Sequence, residues 1–146
     1  MAQELTTLKT IEQGRAKYAF AKVKEISDNN EDGAKKLKEN YKSTAKKLPV
    51  LIKTNGLGQT LAFLKSKGGK NTFNAHDKLY EHIGSWLQTE DTKRLVKKGE
   101  LVEQVINLES QDYRQATVET LALLNWVRRF VDGLIKDMKN TENNNA

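Results

Sequence analysis

The stretch YRQATVETLALLNWVRRFVDGL, residues 113–134, carries the clearest structural signal in the chain. Its apolar side chains recur at three- and four-residue steps, which gives one broad apolar face with the period of an α-helix. These positions are Tyr113, Val118, Leu121, Leu124, Val127, Phe130, Val131 and Leu134. Ser110, just before this stretch, is a good N-cap residue. We predict a helix over residues 111–138.

The same spacing continues toward the N-terminus, and no segment sustains the period of two that a strand needs. Helices are predicted over residues 3–27, 34–47, 57–66, 75–88 and 100–108, with Asn74 as a cap. The polar residues 28–33 end in glycine and predict a turn. The sequence therefore predicts an all-α fold. It is a single compact bundle of five to seven helices over residues 1–138, followed by a disordered tail over residues 139–146.

Pro49 interrupts the second predicted helix, because proline lacks a helical N–H donor and disfavours the α conformation at Leu48. Two interpretations stay open. Pro49 either kinks this helix or opens a new one at its first turn, where proline is tolerated. Gly56, which follows two polar residues, predicts a helix stop with glycine in the left-handed conformation.

The composition excludes several classes of protein. The chain has 146 residues, of which 37% are hydrophobic and 30% charged, a mixture typical of one globular domain. Because there is no cysteine, a disulfide framework, a thiolate metal site and a cysteine nucleophile are excluded. No signal peptide is visible, and no stretch approaches the roughly 18 apolar residues that cross a bilayer. We expect a cytoplasmic protein with no membrane partner.

The positive charge is concentrated in one segment. Lys and Arg number 25 and Asp and Glu 19, a net charge of +6. Residues 34–70 contain ten lysines and one acidic residue, Glu39, so this segment carries +9 and the remainder of the chain −3. Such asymmetry favours a surface that faces a polyanion, since lysine displaces counterions from phosphates without reading bases. The alternative is a solvated, lysine-rich helix face.

Residues able to carry catalysis or hold a metal form no known pattern. Gly56 and Gly58 lack the lysine and the glycine spacing of a phosphate-binding loop, although backbone amides at this helix start could still face a phosphate. His76 and His82 lie on different faces of one helix without a further ligand. We expect no catalytic residue, no metal, no cofactor and no small-molecule substrate.

Two basic clusters are better candidates for a binding site. The first lies around the proline and consists of Lys46, Lys47 and Lys53 with the polar Asn55, Gln59 and Thr60. The second is Arg128 and Arg129, since arginine pairs bidentately with phosphate and stacks on bases. The alternative for these arginines is a salt bridge next to Asp132. Trp86 and Trp126 are expected in the core.

Four separated blocks resemble one protein family. They are LPVLIKTNGLGQTLAFLKSK (48–67), LYEHIGSWL (79–87), YRQATVETL (113–121) and NWVRRF (125–130). Arg15 followed by Ala16 also fits the family's first helix. End to end, the chain is similar to the small α-helical subunit of type III-B CRISPR effector complexes, the Cmr complex.

The resemblance implies a compact helical bundle whose copies stack head to tail, as a basic filament beside the subunits that carry the guide RNA. It implies a non-catalytic subunit of antiviral defence that lies along the guide–target duplex and holds target RNA. The residues implied to contact RNA are Arg15, Lys22, Lys46, Lys47, Lys53, Asn55 and Gln59. Arg128 and Arg129 are implied to contact RNA or a neighbouring subunit.

Two other classes of function are open. One is a purely structural assembly module whose contacts are all with protein. The other, a helix-turn-helix DNA reader at Gly56, is disfavoured because residues 57–66 are mostly apolar and offer few side chains that read bases.

Overall fold

A computed structural model describes residues 2–68 and 74–136, with side chains from Lys9 onward. This part of the chain contains six α-helices, one short 3-10 helix and no strand, so the predicted all-α bundle is confirmed. The α-helices are α1 Ala2–Ser27, α2 Ala34–Asn55, α3 Leu57–Lys67, α4 Ala75–Leu87, α5 Leu101–Ile106 and α6 Ser110–Leu134. The 3-10 helix is Glu90–Thr92. The predicted tail, residues 139–146, lies outside the described residues.

Three long helices form the frame of the bundle. α1 and α6 run in the same direction, because Arg15 contacts Glu119 near their middles and the Ser27 hydroxyl donates to the Leu134 carbonyl at their ends. α2 runs against α6, with Lys42 donating to the Ile135 carbonyl. The shorter α3, α4 and α5 close the remaining sides of the core.

The core is apolar apart from a few buried polar side chains. Its largest fully buried side chains are Trp86, Tyr41, Leu37, Leu48, Leu57, Leu61, Leu64, Leu79, Ile83, Leu87, Leu123 and Leu124. The Tyr41 hydroxyl lies 2.8 Å from His82 Nδ1, so these two buried polar groups satisfy each other. Trp86 is in the core as predicted. Trp126 is only partly buried and packs against the outside of the core.

Pro49 lies inside α2, which continues to Asn55 without a break. The predicted end at residue 47 is therefore wrong, and so is the alternative that Pro49 opens a new helix. Proline costs α2 one backbone hydrogen bond, the one to the Ala45 carbonyl. Leu48 and Ile52 are fully or almost fully buried on either side of it. Burial of this apolar face keeps the segment helical despite the missing bond.

Both predicted ends of the last helix differ from the structure. Ser110 is the first residue of α6, and Glu109 precedes it without a side-chain cap hydrogen bond, so the prediction of Ser110 as the N-cap is wrong. α6 ends at Leu134 because Ile135 is extended, with φ −104° and ψ 104°. The cap at Asn74 is confirmed: its side chain accepts from the amides of His76 and Asp77.

Gly56 separates α2 from α3 in a conformation that other residues rarely adopt. Its φ is +90°, the positive value predicted, but its ψ of 161° is extended rather than left-handed helical. Its N–H donates to the Ile52 carbonyl at 2.8 Å, and its carbonyl accepts from the amide and hydroxyl of Thr60. This one residue therefore ends α2 and starts α3.

We expect Gly56→Ala to lower the free energy of unfolding by about 1.5 kcal/mol, because a Cβ strains this backbone conformation. Urea unfolding measures the change. Gly133→Ala is the matched control: Gly133 lies in α6 with nothing within 4 Å of an added Cβ. There alanine should stabilise by about 0.5 kcal/mol. Equal effects of the two substitutions would contradict a special role of Gly56.

Candidate nucleic-acid interface

The outer surface of α2 carries the net positive charge of the molecule. The helix contains seven lysines and one acidic residue, Glu39, so it contributes +6, which equals the charge of the whole chain. Its buried residues, from Leu37 through Tyr41 and Leu48 to Ile52, follow one face. The lysines occupy the remaining faces, where they are exposed or half-buried.

The helical period divides these lysines between two edges of α2. Lys42, Lys46 and Lys53 lie on the edge toward α6. Lys36 and Lys47, eleven residues apart and so nearly in line, lie on the edge toward α3 and α4. Val50, 65% exposed, lies between the two edges. The structure therefore separates Lys46 from Lys47, which sequence reasoning had grouped.

The edge toward α6 is partly neutralised. Lys46 Nζ lies 2.8 Å from Asp132 Oδ1, and Lys42 Nζ lies 3.9 Å from the same oxygen. The hydrogen bond from Lys46, together with the charges of Lys42 and Arg128, holds the pKa of Asp132 below its usual value. The predicted alternative for the arginines was a salt bridge next to Asp132. Arg128 acts on Asp132 through its charge, but its side-chain contact is with Asn125 Oδ1 at 3.4 Å. The exposed Arg129 has no hydrogen-bond or ion-pair partner among the described residues.

The edge toward α3 and α4 borders a cleft. Lys36, Lys67 and His76 line it together with Asn40 and Asp32. Burial, followed by the nearby charges of Lys67 and Lys47, lowers the pKa of His76, whereas Asp77 acts against them. Neither Lys36 nor Lys67 forms an ion pair within the described part of the chain.

Asn55 and Gln59 are brought together as predicted. Both line a second cleft at the junction of α2 and α3, with Leu51 and Phe63 as apolar neighbours. Thr60, predicted in the same cluster, is buried, and its hydroxyl donates to the Gly56 carbonyl at 2.9 Å. Thr60 therefore stabilises the junction of α2 and α3 from inside and is not part of its exposed surface.

Arg15 on α1 is bound to α6, whereas Lys22 contacts neighbouring side chains of α1 itself. The Arg15 guanidinium donates to both Glu119 oxygens at 2.8 Å and to Glu12 at 2.8 Å. These hydrogen bonds raise the pKa of Arg15 despite its partial burial. Lys22 Nζ lies 5.6 Å from the centre of the Tyr18 ring and 4.0 Å from Glu25.

Sequence reasoning did not select Phe63, Lys36, Lys67 or His76 as binding residues. Phe63 is exposed, and its ring meets the His76 imidazole edge to face, with 5.8 Å between ring centres. The spacing of Lys36 and Lys47, which places both on one face of α2, was the signal in the sequence that could have indicated this site. The packing of α3 and α4 beside that face is a feature of the tertiary structure, and no local sequence pattern predicts it.

Comparison with known proteins identifies the family. A model described as CRISPR-associated protein (Cas_Cmr5) matches residues 11–134. The chain belongs to the Cmr5 family. It is 32% identical over 130 residues to the "CRISPR system Cmr subunit Cmr5" of Thermus thermophilus, covering 89% of this chain and all of that one. The subunit of the same description from Thermotoga maritima is 27% identical over 140 residues, 94% of each chain.

A solved structure agrees with this family assignment. The crystal structure of a CRISPR-associated Cmr5 family protein from Thermus thermophilus matches with a TM-score of 0.66 at 32% identity. The match covers 86% of this Cmr5-family chain and 97% of the other. The resemblance to the small subunit of type III-B Cmr complexes is thereby confirmed. None of the helices in residues 2–68 and 74–136 has the length and hydropathy of a membrane span.

Proposed function

We propose that this Cmr5-family subunit is non-catalytic and holds target RNA in the type III-B complex through phosphate contacts, as part of antiviral defence. Copies stack along the guide–target duplex, so that weak contacts of single subunits add up along the filament. The observation that carries the proposal is the outer surface of α2, because this one helix carries a charge of +6, equal to the net charge of the whole chain.

The proposed RNA contacts fall into two groups. Lys47 and Lys53 are exposed and form no ion pair with described residues, so both ammonium groups are available to phosphate. Lys46 and Lys22 are held close to acidic side chains and contribute less. Asn55 and Gln59 add hydrogen bonds to RNA at the junction of α2 and α3. Arg128 and Arg129 extend the RNA-binding surface onto α6 or contact a neighbouring copy. Arg15 is left out, because its guanidinium is occupied by carboxylates.

We expect the double reversal Lys47→Glu with Lys53→Glu to weaken binding of target RNA by the assembled complex about tenfold. The log–log salt slope should become shallower by about 1.4 to 1.8, since each phosphate contact contributes about 0.7 on a single strand and about 0.9 on a duplex. Filter binding over a salt series measures both. Lys46 is left unchanged, because a glutamate there would face Asp132, which its lysine now binds at 2.8 Å.

Lys97→Glu with Lys98→Glu is the matched control, since both lysines are exposed and lie away from α2. This variant should retain RNA affinity. Equal binding by all three proteins, with subunit assembly intact after nuclease treatment, would favour the protein-only assembly module instead. The exposed Ile106 and Val118, 63% and 53% accessible, are the apolar side chains that such a module would bury.

A further inference from the structure

Phe63 is an aromatic side chain that reaches the surface of the protein. It is 37% exposed, so part of its ring is open to solvent. Its ring meets the His76 imidazole at an interplanar angle of 79°. An exposed phenylalanine ring of this kind, supported by a half-buried imidazole, offers a ring surface to a flat ligand.

Cationic and amide groups flank this pair on both sides. Lys67 and Lys47 are close enough to act electrostatically on the His76 ring. On the far side of Phe63, the cleft that it lines also contains Asn55 and Gln59. Asp32 and Asp77 are the opposing acidic groups near His76, against three lysines including Lys36.

A positively charged track interrupted by an exposed aromatic ring is typical of proteins that bind single-stranded nucleic acid. The lysines follow the sugar–phosphate backbone, and a base stacks on the ring. In a duplex both faces of every internal base are covered by neighbouring bases, so a ring on the protein gains nothing from paired RNA. The aromatic pair therefore distinguishes an unpaired strand from a duplex.

We propose that unpaired RNA binds along the α2 edge toward α3 and α4, with one base stacked on the Phe63–His76 pair and its flanking phosphates on Lys47 and Lys67. The proposal rests on the RNA-holding function above and adds to it. It gives the chain a contact with a base, at residues on three different helices, and it assigns this surface to single-stranded rather than duplex RNA.

The test uses Phe63→Ala in the full chain, with two matched variants. Phe20→Ala removes a phenylalanine of similar exposure, 41%, whose ring contacts Phe130. Phe63→Trp keeps a ring for stacking. The probe is a single-stranded RNA oligonucleotide with 2-aminopurine at one position, whose fluorescence is quenched when the base stacks. An RNA duplex of the same sequence is the second ligand.

Phe63→Ala should weaken single-strand binding about tenfold and abolish the quenching, because base–aromatic stacking supplies that part of the affinity. Phe20→Ala and Phe63→Trp should behave like the parent chain. Duplex binding and the salt slope should not change with Phe63→Ala. The proposal is overturned if Phe63→Ala has no larger effect than Phe20→Ala, or if it weakens duplex binding equally.

The two proposals fail in different ways. If reversal of Lys47 and Lys53 weakens RNA binding while Phe63→Ala does not, only the stacking site is wrong. If neither the lysine reversal in the complex nor Phe63→Ala in the full chain changes RNA binding, the RNA-holding function is wrong as well. A fluorescence signal that is not quenched by the parent chain, at protein concentrations that saturate the RNA, also excludes the stacking site.

Discussion

Replacing Arg15 by methionine is expected to lower the free energy of unfolding by about 3 kcal/mol. The reason is Glu119, which is only 3% exposed and accepts two hydrogen bonds from the Arg15 guanidinium. Without Arg15 the carboxylate keeps one direct donor in the described structure, Trp86 Nε1 at 2.9 Å. Removing one partner of a buried ion pair leaves an uncompensated charge, which is far more costly than losing a surface pair. Urea unfolding at neutral pH measures the loss.

Two further variants separate this effect from the loss of a long side chain. Lys17→Met changes an exposed basic residue on the same helix and should alter stability by less than about 0.5 kcal/mol. The double substitution Arg15→Met with Glu119→Leu removes both charges and should recover most of the stability, because an apolar pair can replace a buried ion pair. An Arg15→Met protein as stable as Lys17→Met would show that the pair contributes little.

Arg15 also illustrates what sequence can and cannot predict about a charged residue. The resemblance implied an RNA contact for it, and the one local sign against that contact is Glu12, three residues earlier, which also accepts a hydrogen bond from Arg15 in the structure. Its main partner, Glu119, is 104 residues away in the chain. Lys46 is similar, since its partner Asp132 is 86 residues away. A lysine or arginine is available to a ligand only if the fold leaves it without an acidic partner, and that depends on tertiary structure.

The helices were predictable for a different reason. Their apolar periodicity is local, so the order of α1 to α6 and the cap at Asn74 follow from short windows of sequence. Pro49 is where the local rule fails. Leu48 and Ile52 bury enough apolar surface to keep the helix continuous through a residue that lacks a donor. The grouping of Phe63 with His76 and Lys47 was also beyond local reasoning, because it requires three helices to meet.

Acidification is the second large effect expected, and it involves His82. This side chain is 6% exposed, and burial lowers its pKa to about 3, with smaller contributions from the charges of Lys22 and Lys78. In the unfolded chain the imidazole takes up its proton near pH 6.5, so acid favours the unfolded state. The stability that neutral His82 contributes is fully present above pH 6.5 and declines as the pH falls toward 3.

Between pH 6.5 and 4.5 we expect the free energy of unfolding to fall by about 2 kcal/mol, from His82 alone. The pH range ends at 4.5 because three carboxyl groups with lowered pKa values also stabilise the folded state. Their contributions to the free energy of unfolding are lost only near and below that pH. These groups belong to Glu100, Glu119 and Asp132. Guanidinium unfolding at a series of pH values measures the slope.

His76 must be removed from the comparison, because its pKa is also lowered and it responds in the same window. The reference protein is therefore His76→Gln, and the test protein carries His82→Gln in addition. The reference should lose stability from pH 6.5 to 4.5, whereas the double variant, although less stable throughout, should give a nearly flat profile. Parallel profiles for the two proteins would mean that the buried Tyr41–His82 pair does not control the acid sensitivity of the bundle. The protons that destabilise the folded state would then be taken up elsewhere in the chain.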